Sequence, residues 1–326
     1  MDAIDTVLSG LRLQSTVFTR MELGANWGFE KDALEGAPFH IILAGEAWVT
    51  LEGHEPTRYA PGDIAVLPRG SPHRLTATLD ARTLPFADVY RRSGMPDWHP
   101  SNWVKPLVMR FGVDGHPPAT RLLSGVFQFA RRPSPLLQAL PGLMRLSPAQ
   151  IDTPQGAFMV ALISAMDAEI DTALPGAAIS AGRLADYLFV QAVRAELSNS
   201  AGDPRWLRGL ADARIGRALS VIHDQPEANW TVATLARQTG MSRSLFAQEF
   251  QRLVGRSPID YLRDWRMYEA SALLTESDLS CDAIAVRVGY GSGAALSKAF
   301  QRWAGQSPTA YRRDRVMPSG VSRASD

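Results

Sequence analysis

Residues 235–266 read LARQTGMSRSLFAQEFQRLVGRSPIDYLRDWR, and residues 284–315 read IAVRVGYGSGAALSKAFQRWAGQSPTAYRRDR. These are one pattern written twice, about 50 residues apart. Gly240 matches Gly289, Phe250 matches Phe300, and Gln251-Arg252 matches Gln301-Arg302. Gly255, Ser257, Pro258 and Tyr261 match Gly305, Ser307, Pro308 and Tyr311. The second copy carries one extra residue after its turn glycine.

Each copy has the grammar of a helix-turn-helix. A short apolar helix is expected first, over Val232–Gln238 and over Ala283–Val288. A glycine follows, where a positive φ is free of steric cost. Ser242 or Ser292 then caps the next helix. In that helix Phe246 and Phe250, or Leu296 and Phe300, sit four apart and face inward. Left facing outward in the first copy are Arg243, Ser244, Ala247, Gln248, Gln251 and Arg252. In the second they are Gly293, Ala294, Ser297, Lys298, Gln301 and Arg302. Such a face presents side chains to a major groove while basic residues grip phosphate. Ser257-Pro258 opens a further helix that runs through Leu262 and Trp265 to Leu274. A rigid helix between two readers suits successive major grooves, about 34 Å apart on one face of a duplex.

GMSRSLFAQEFQRLVGRSP…YLRDWRM and GY…LSKAFQRWAGQSPTAYRR resemble the DNA-binding domain of the AraC/XylS transcription regulators, over about 205–315. The resemblance implies a two-reader module whose second helices contact bases. By position the contacts fall on Arg243, Ser244, Ala247 and Gln248, then on Gly293, Ala294, Ser297 and Lys298. The second reader departs from the family habit: Gly291, Gly293 and Ala294 stand where longer polar residues often sit. Glycine and alanine make no bidentate base contact. The second unit is therefore expected to add phosphate affinity through Lys298 and Arg302, leaving base choice to the first.

The front of the chain has another texture. FHIILAG, EAWVTLEG, GDIAVLPRG and HRLTATL are short apolar stretches ended by turn signals, which indicate a barrel or sandwich. YAPGDIAVLPRGSPH (59–73) spaces Gly62, Pro68, Gly70 and His73 as in the second signature of the cupin barrel. FHIILAGEAWVTLEG resembles the strand pair of the first signature, with Gly45 at a hairpin. The front is similar to the cupin-type sensor domain found ahead of AraC-type readers. That resemblance implies a small-molecule effector in the barrel, with His40 and His73 as ligand-binding candidates. Enzymatic cupins supply a His-x-His pair and a Glu before the hairpin glycine. Here Ile42 takes the second His position, and Glu46 lies beyond the turn. No catalytic residue and no cofactor are expected; a divalent ion on His40 and His73 is the alternative.

From about residue 154 the spacing turns helical. Thr153 and Pro154 open one helix with Met159, Leu162, Ile163, Met166 and Ile170 on a stripe. Pro175-Gly176 break the run, and a second helix is expected over 181–198. The stripes on these helices must bury against the barrel or a second chain, and a homodimer through them or through the barrel edge is expected.

The expected architecture is α+β with two domains. Residues 1–198 form a cupin-like β-barrel with a helical extension, and 199–204 a linker. Residues 205–315 form an all-α double helix-turn-helix, and 316–326 a disordered tail. The chain of 326 residues has a net charge of +1 that divides unevenly. Residues 205–326 hold 17 Lys+Arg against 12 Asp+Glu, and residues 1–204 hold 17 against 21. Only the back is suited to a polyanion. The start, MDAIDTVLSG, lacks a signal-peptide pattern, no apolar run is long enough for a membrane span, and one cysteine suits the cytoplasm. The expected partners are double-stranded DNA, a small-molecule effector, a second copy and RNA polymerase. Three readings stay open: an effector-responsive regulator, a constitutive DNA binder whose barrel only dimerises, and a cupin metalloenzyme.

Overall fold

The computed structural model describes residues 13–95, 107–129, 140–148, 153–172, 174–198 and 212–316. The expected linker at 199–204 and the tail beyond residue 316 lie outside them. The described residues divide into a sheet unit (13–198) and a helical unit (212–316).

The sheet unit runs β1 (Leu13–Leu23), β2 (Gly28–Lys31), β3 (Ala37–Ala44), β4 (Ala47–Leu51), β5 (Thr57–Tyr59), β6 (Ile64–Val66), β7 (His73–Thr76) and β8 (Leu84–Pro85). Then come α1 (Phe86–Arg92), β9 (Leu107–Phe111), β10 (Thr120–Phe129), β11 (Met144–Leu146), α2 (Pro154–Thr172) and α3 (Ala177–Ser198). Among the described residues the strands form a six-stranded sheet, β11-β6-β3-β10-β1-β9, and a five-stranded sheet, β5-β4-β7-β2-β8. No described strand belongs to both, so the front is the β-rich unit expected, built as a pair of sheets that do not close into one barrel among the described residues.

Gly45 is not at a hairpin either. β3 pairs with β10 and β6, while β4 pairs with β5 and β7. Gly45 is the corner where the chain leaves one sheet for the other. It holds φ +72°, and a Cβ there would lie 2.1 Å from the Ala119 carbonyl oxygen. No other residue fits that corner.

One core fills the space between the sheets, with Met21, Trp27, Phe29, Ile42, Val49, Tyr59, Leu75 and Leu122 all buried. The six-stranded sheet is covered on its other side as well. Phe39 stacks on Phe127 at 4.4 Å, and Phe127 meets Phe189 of α3 at 4.9 Å. Burial on both faces explains the continuous apolar run Phe39–Ile42 around one histidine. α3 begins four residues earlier than expected, at Ala177, just after the Pro175-Gly176 break. It buries Ala181, Ala185, Leu188, Phe189, Ala192 and Val193, a stripe of helical period. α2 packs on α3 and buries Met159, Leu162, Ile163, Met166 and Ile170. The α2 stripe expected at a dimer contact is thus covered within its own unit.

The helical unit runs α4 (Ala213–Asp224), α5 (Val232–Gln238), α6 (Arg243–Val254), α7 (Pro258–Glu276), α8 (Cys281–Arg287), α9 (Gly293–Ala304) and α10 (Pro308–Val316). α5 spans the residues read from the sequence. α8 starts two residues earlier than read, because Ser280 caps it through the Ala283 amide. α7 connects the two repeats. From it, Arg266 donates to the Pro226 and Ala228 carbonyls at 2.7 and 2.9 Å, in the loop leading into α5. The same guanidinium stands 6.0 Å from the Tyr290 ring, beside the turn of the second repeat. A Cβ on Gly289 would meet it at 2.7 Å. One arginine on the connecting helix therefore touches both repeats.

Candidate functional site

The reader helices α6 and α9 are built alike. Gly240 and Gly289 make the turns with φ +67° and +75°. Ser242 accepts from the Leu245 amide, and Ser292 from the Ala295 amide. Each helix stops at a left-handed glycine, Gly255 or Gly305. Phe246, Phe250, Leu296 and Phe300 are fully buried, as the spacing requires.

On α6, Arg243, Ser244, Gln248, Gln251 and Arg252 are exposed and Ala247 is half-buried. Two of these side chains are engaged. Gln251 donates to the Gly255 carbonyl at 3.1 Å, bracing the helix end. Arg252 makes two hydrogen bonds to Glu249, at 2.6 and 3.0 Å. That pairing draws the Glu249 carboxyl below its ordinary range and raises Arg252 further. On α9, Ala294, Lys298, Gln301 and Arg302 are exposed and Ser297 is half-buried. Ala299 stands in the place of Glu249, so Arg302 has no matching carboxylate one turn away.

Gly293 departs from the outward position expected of it. It is buried, and its amide donates to the Asp282 carboxylate at 2.7 Å. A Cβ there would lie 2.7 Å from that oxygen and 3.0 Å from the Asp282 backbone nitrogen. Gly293 lets α8 approach α9 and offers no side chain to a duplex.

In the sheet unit, His40 of β3 and His73 of β7 reach toward each other from opposite sheets. Their Nε2 atoms are 2.9 Å apart, and both rings are buried. His73 Nδ1 lies 2.9 Å from the Ser71 carbonyl, which only accepts, so His73 carries its proton there. His73 Nε2 then accepts from His40 Nε2–H. His40 Nδ1 in turn accepts from the Ser124 hydroxyl, 2.7 Å away. Burial keeps both rings neutral: His73 is pushed down to about 4, and His40 well below its usual value.

This chain uses every ring nitrogen, so the pair does not suit a metal. Among the described residues no third His, Cys, Asp or Glu completes a set. Glu46 is bonded to Arg58 on the surface, and His54 is exposed beside the Glu52 carbonyl.

Beside His73 lies a cavity of about 250 Å³. Met21, Leu34, Pro38, Phe86 and Val126 give it apolar walls, and Lys31, His73 and Ser124 give it polar ones. His40 stands behind His73 and is not in the wall. The sequence reading missed Lys31, Ser124 and Asp282. A histidine spacing points to His73, but nothing local marks a lysine at a strand end or a serine 84 residues from its partner.

A Cupin family model matches residues 2–198, and a Helix-turn-helix domain model matches residues 235–314. A putative AraC-like transcription regulator of Streptomyces lividans is 32% identical, over 98% of this chain and 100% of its own length. The HTH-type transcriptional regulator AlkR of Acinetobacter baylyi is 31% identical, over 96% and 99%. The crystal structure of the DNA-binding domain of AdpA in complex with a target DNA is 34% identical, covering 33% of this chain and 100% of that one, with a TM-score of 0.31. No described helix is long and apolar enough to cross a membrane. With a Cupin domain in front, paired helix-turn-helix units behind and full-length relatives of that kind, the chain belongs to the AraC-like DNA-binding transcription regulators and not to the enzymes.

Proposed function

We propose that this regulator answers to a small molecule held in its sheet unit, which changes how the paired readers engage duplex DNA. The cavity beside His73 carries the proposal. A unit that served only to dimerise would be packed through, whereas this one keeps about 250 Å³ open between its sheets. In this reading base choice lies on α6, through Arg243, Ser244, Ala247 and Gln248. Phosphate affinity comes from Lys298 and Arg302, with Arg252 contributing less because Glu249 holds it. Ala294 and Ser297 pass close to the duplex without reading it. The site of action is the cytoplasm, where the operator is.

We place the homodimer contact on the outward face of α2, and no longer on its buried stripe. Phe158, Val160, Ala161, Ala165 and Ala168 are exposed there, and no charged residue occurs from Pro154 to Met166. An uncharged face of this kind can meet its own copy across a two-fold axis.

The test is selection of bound sites from random duplexes by the full-length protein, with and without small-molecule cell extract. The expected result is a paired site whose affinity shifts about 5–150-fold with one extract fraction. Identical sites and affinities with every fraction would overturn the sensing reading. Sedimentation of Ala165→Glu checks the dimer: the native chain should be dimeric and the variant monomeric.

A further inference from the structure

Several arginines of the sheet unit find carboxylates. Arg20, the most buried of them, meets Asp167, Asp171 and Glu22. Arg58 meets Glu46, Arg110 meets Glu22, and Arg145 meets Asp63. Lys31 meets none among the described residues. Its Nζ lies 4.3 Å from the centre of the Phe86 ring and 5.9 Å from that of Phe29, and it lines the cavity.

The two histidines beside it supply no counter-charge. His73 and His40 have spent their acceptor nitrogens on each other and on Ser124. Burial without an anion pushes the Lys31 ammonium down to about 7. Lys31 is half-buried, and a cation drawn partly out of water and left unpaired carries a cost that structures answer with a paired anion. The chain has only three lysines against 31 arginines, and one of them stands here. A lysine offers a compact point charge on a flexible stem, where an arginine would fill the space with a planar fork.

We propose that this cavity binds a small monocarboxylate with an apolar body, its carboxylate on the Lys31 ammonium. The proposal deepens the sensing reading and rests on it. The volume falls just below the roughly 300–1,000 Å³ typical of pockets for drug-sized ligands, which limits the body to a few carbons or one ring. Met21, Phe86 and Val126 supply the surface that such a body would cover. Asp32 and Glu35 also line the cavity. Their negative charge argues against a multiply charged anion such as a phosphate ester.

The experiment is calorimetric titration of the full-length protein with hexanoate, hexan-1-ol and hexylamine, which share a body and differ in the head. Hexanoate should bind about tenfold more tightly than the alcohol, as one charge-assisted hydrogen bond provides. Hexylamine should be the weakest. Lys31→Met should remove the preference for the acid and keep binding of the alcohol, with no loss of melting temperature. Lys31→Gln should do the same and serves if the first variant does not fold. Equal binding of acid and alcohol, or unchanged hexanoate affinity in Lys31→Met, would overturn the carboxylate assignment and leave the cavity as a site for a neutral effector. No binding of any of the three at millimolar concentration would overturn the cavity as a sensor site altogether.

Discussion

The two repeats of the helical unit have the same backbone and treat charge differently. In the first, α5 presents Ala233 where α8 presents Asp282, and α6 opens with an exposed Arg243 where α9 opens with a buried Gly293. The Asp282 carboxylate sits on the first amide of α9, so a protein anion already occupies that positive helix end. At the N-terminus of α6 no carboxylate takes that place, and the Ser242 hydroxyl accepts from the Leu245 amide. Farther along, the ranking reverses. Arg252 is tied to Glu249, and Arg302 is not so tied. The first unit is open at its tip and neutralised on its flank; the second is closed at its tip and cationic on its flank. The repeat has kept what the fold needs: turn glycine, capping serine, inward aromatic and Ser-Pro exit. It has let the outward positions diverge in exposure and charge.

The largest effect should come from giving the second unit the first unit's residue. Gly293→Arg puts a Cβ against the Asp282 backbone and should destabilise the helical unit by about 1–3 kcal/mol. Arg243→Gly in the first unit should cost only about 1 kcal/mol, the propensity difference. Thermal melts of both variants check this, and equal losses would break the comparison.

Next is base choice. Gln248→Ala should relax preference at one operator position and cost about 1–3 kcal/mol there. Lys298→Ala should weaken all sequences alike. Site selection with each variant decides it: a better-defined half-site for Lys298 would reverse the roles.

The smallest effect concerns the flanks. Arg302→Ala should lower the salt slope of binding by about one contact, and Arg252→Ala by less. Glu249→Ala should free Arg252 and bring the two into line. Binding isotherms over a salt series measure all three.

The helical unit was legible almost to the residue, because its signals are local. A capping serine acts three residues ahead, and a turn glycine acts on itself. Gly293 shows where that reading slipped. It lies three and seven residues before Leu296 and Phe300, so helical period itself puts it on the buried face. The outward assignment counted only Leu296 and Phe300 as inward and left Gly293 among the remaining positions. The strands of the front were legible one at a time, but not their partners. His40 pairs across to Ser124 and faces His73 of the other sheet, and no spacing rule connects those three. Lys31 was invisible for a related reason. A lysine beside a turn is usually solvated, and only the assembled sheets show that this one meets no carboxylate among the described residues.

Arg266 makes the helical unit a gauge and not merely a pair of hands. Bonded to the loop before α5 and standing at the turn before α9, it ties both readers to one connecting helix. Two readers on a flexible tether would each settle on their own half-site, whatever lay between. Readers fixed to one strut cannot. Each base pair added between the half-sites turns the second by roughly 34° around the duplex axis. Such a regulator is expected to recognise an interval as much as two words, so that DNA carrying both words at the wrong interval is, to it, half a site.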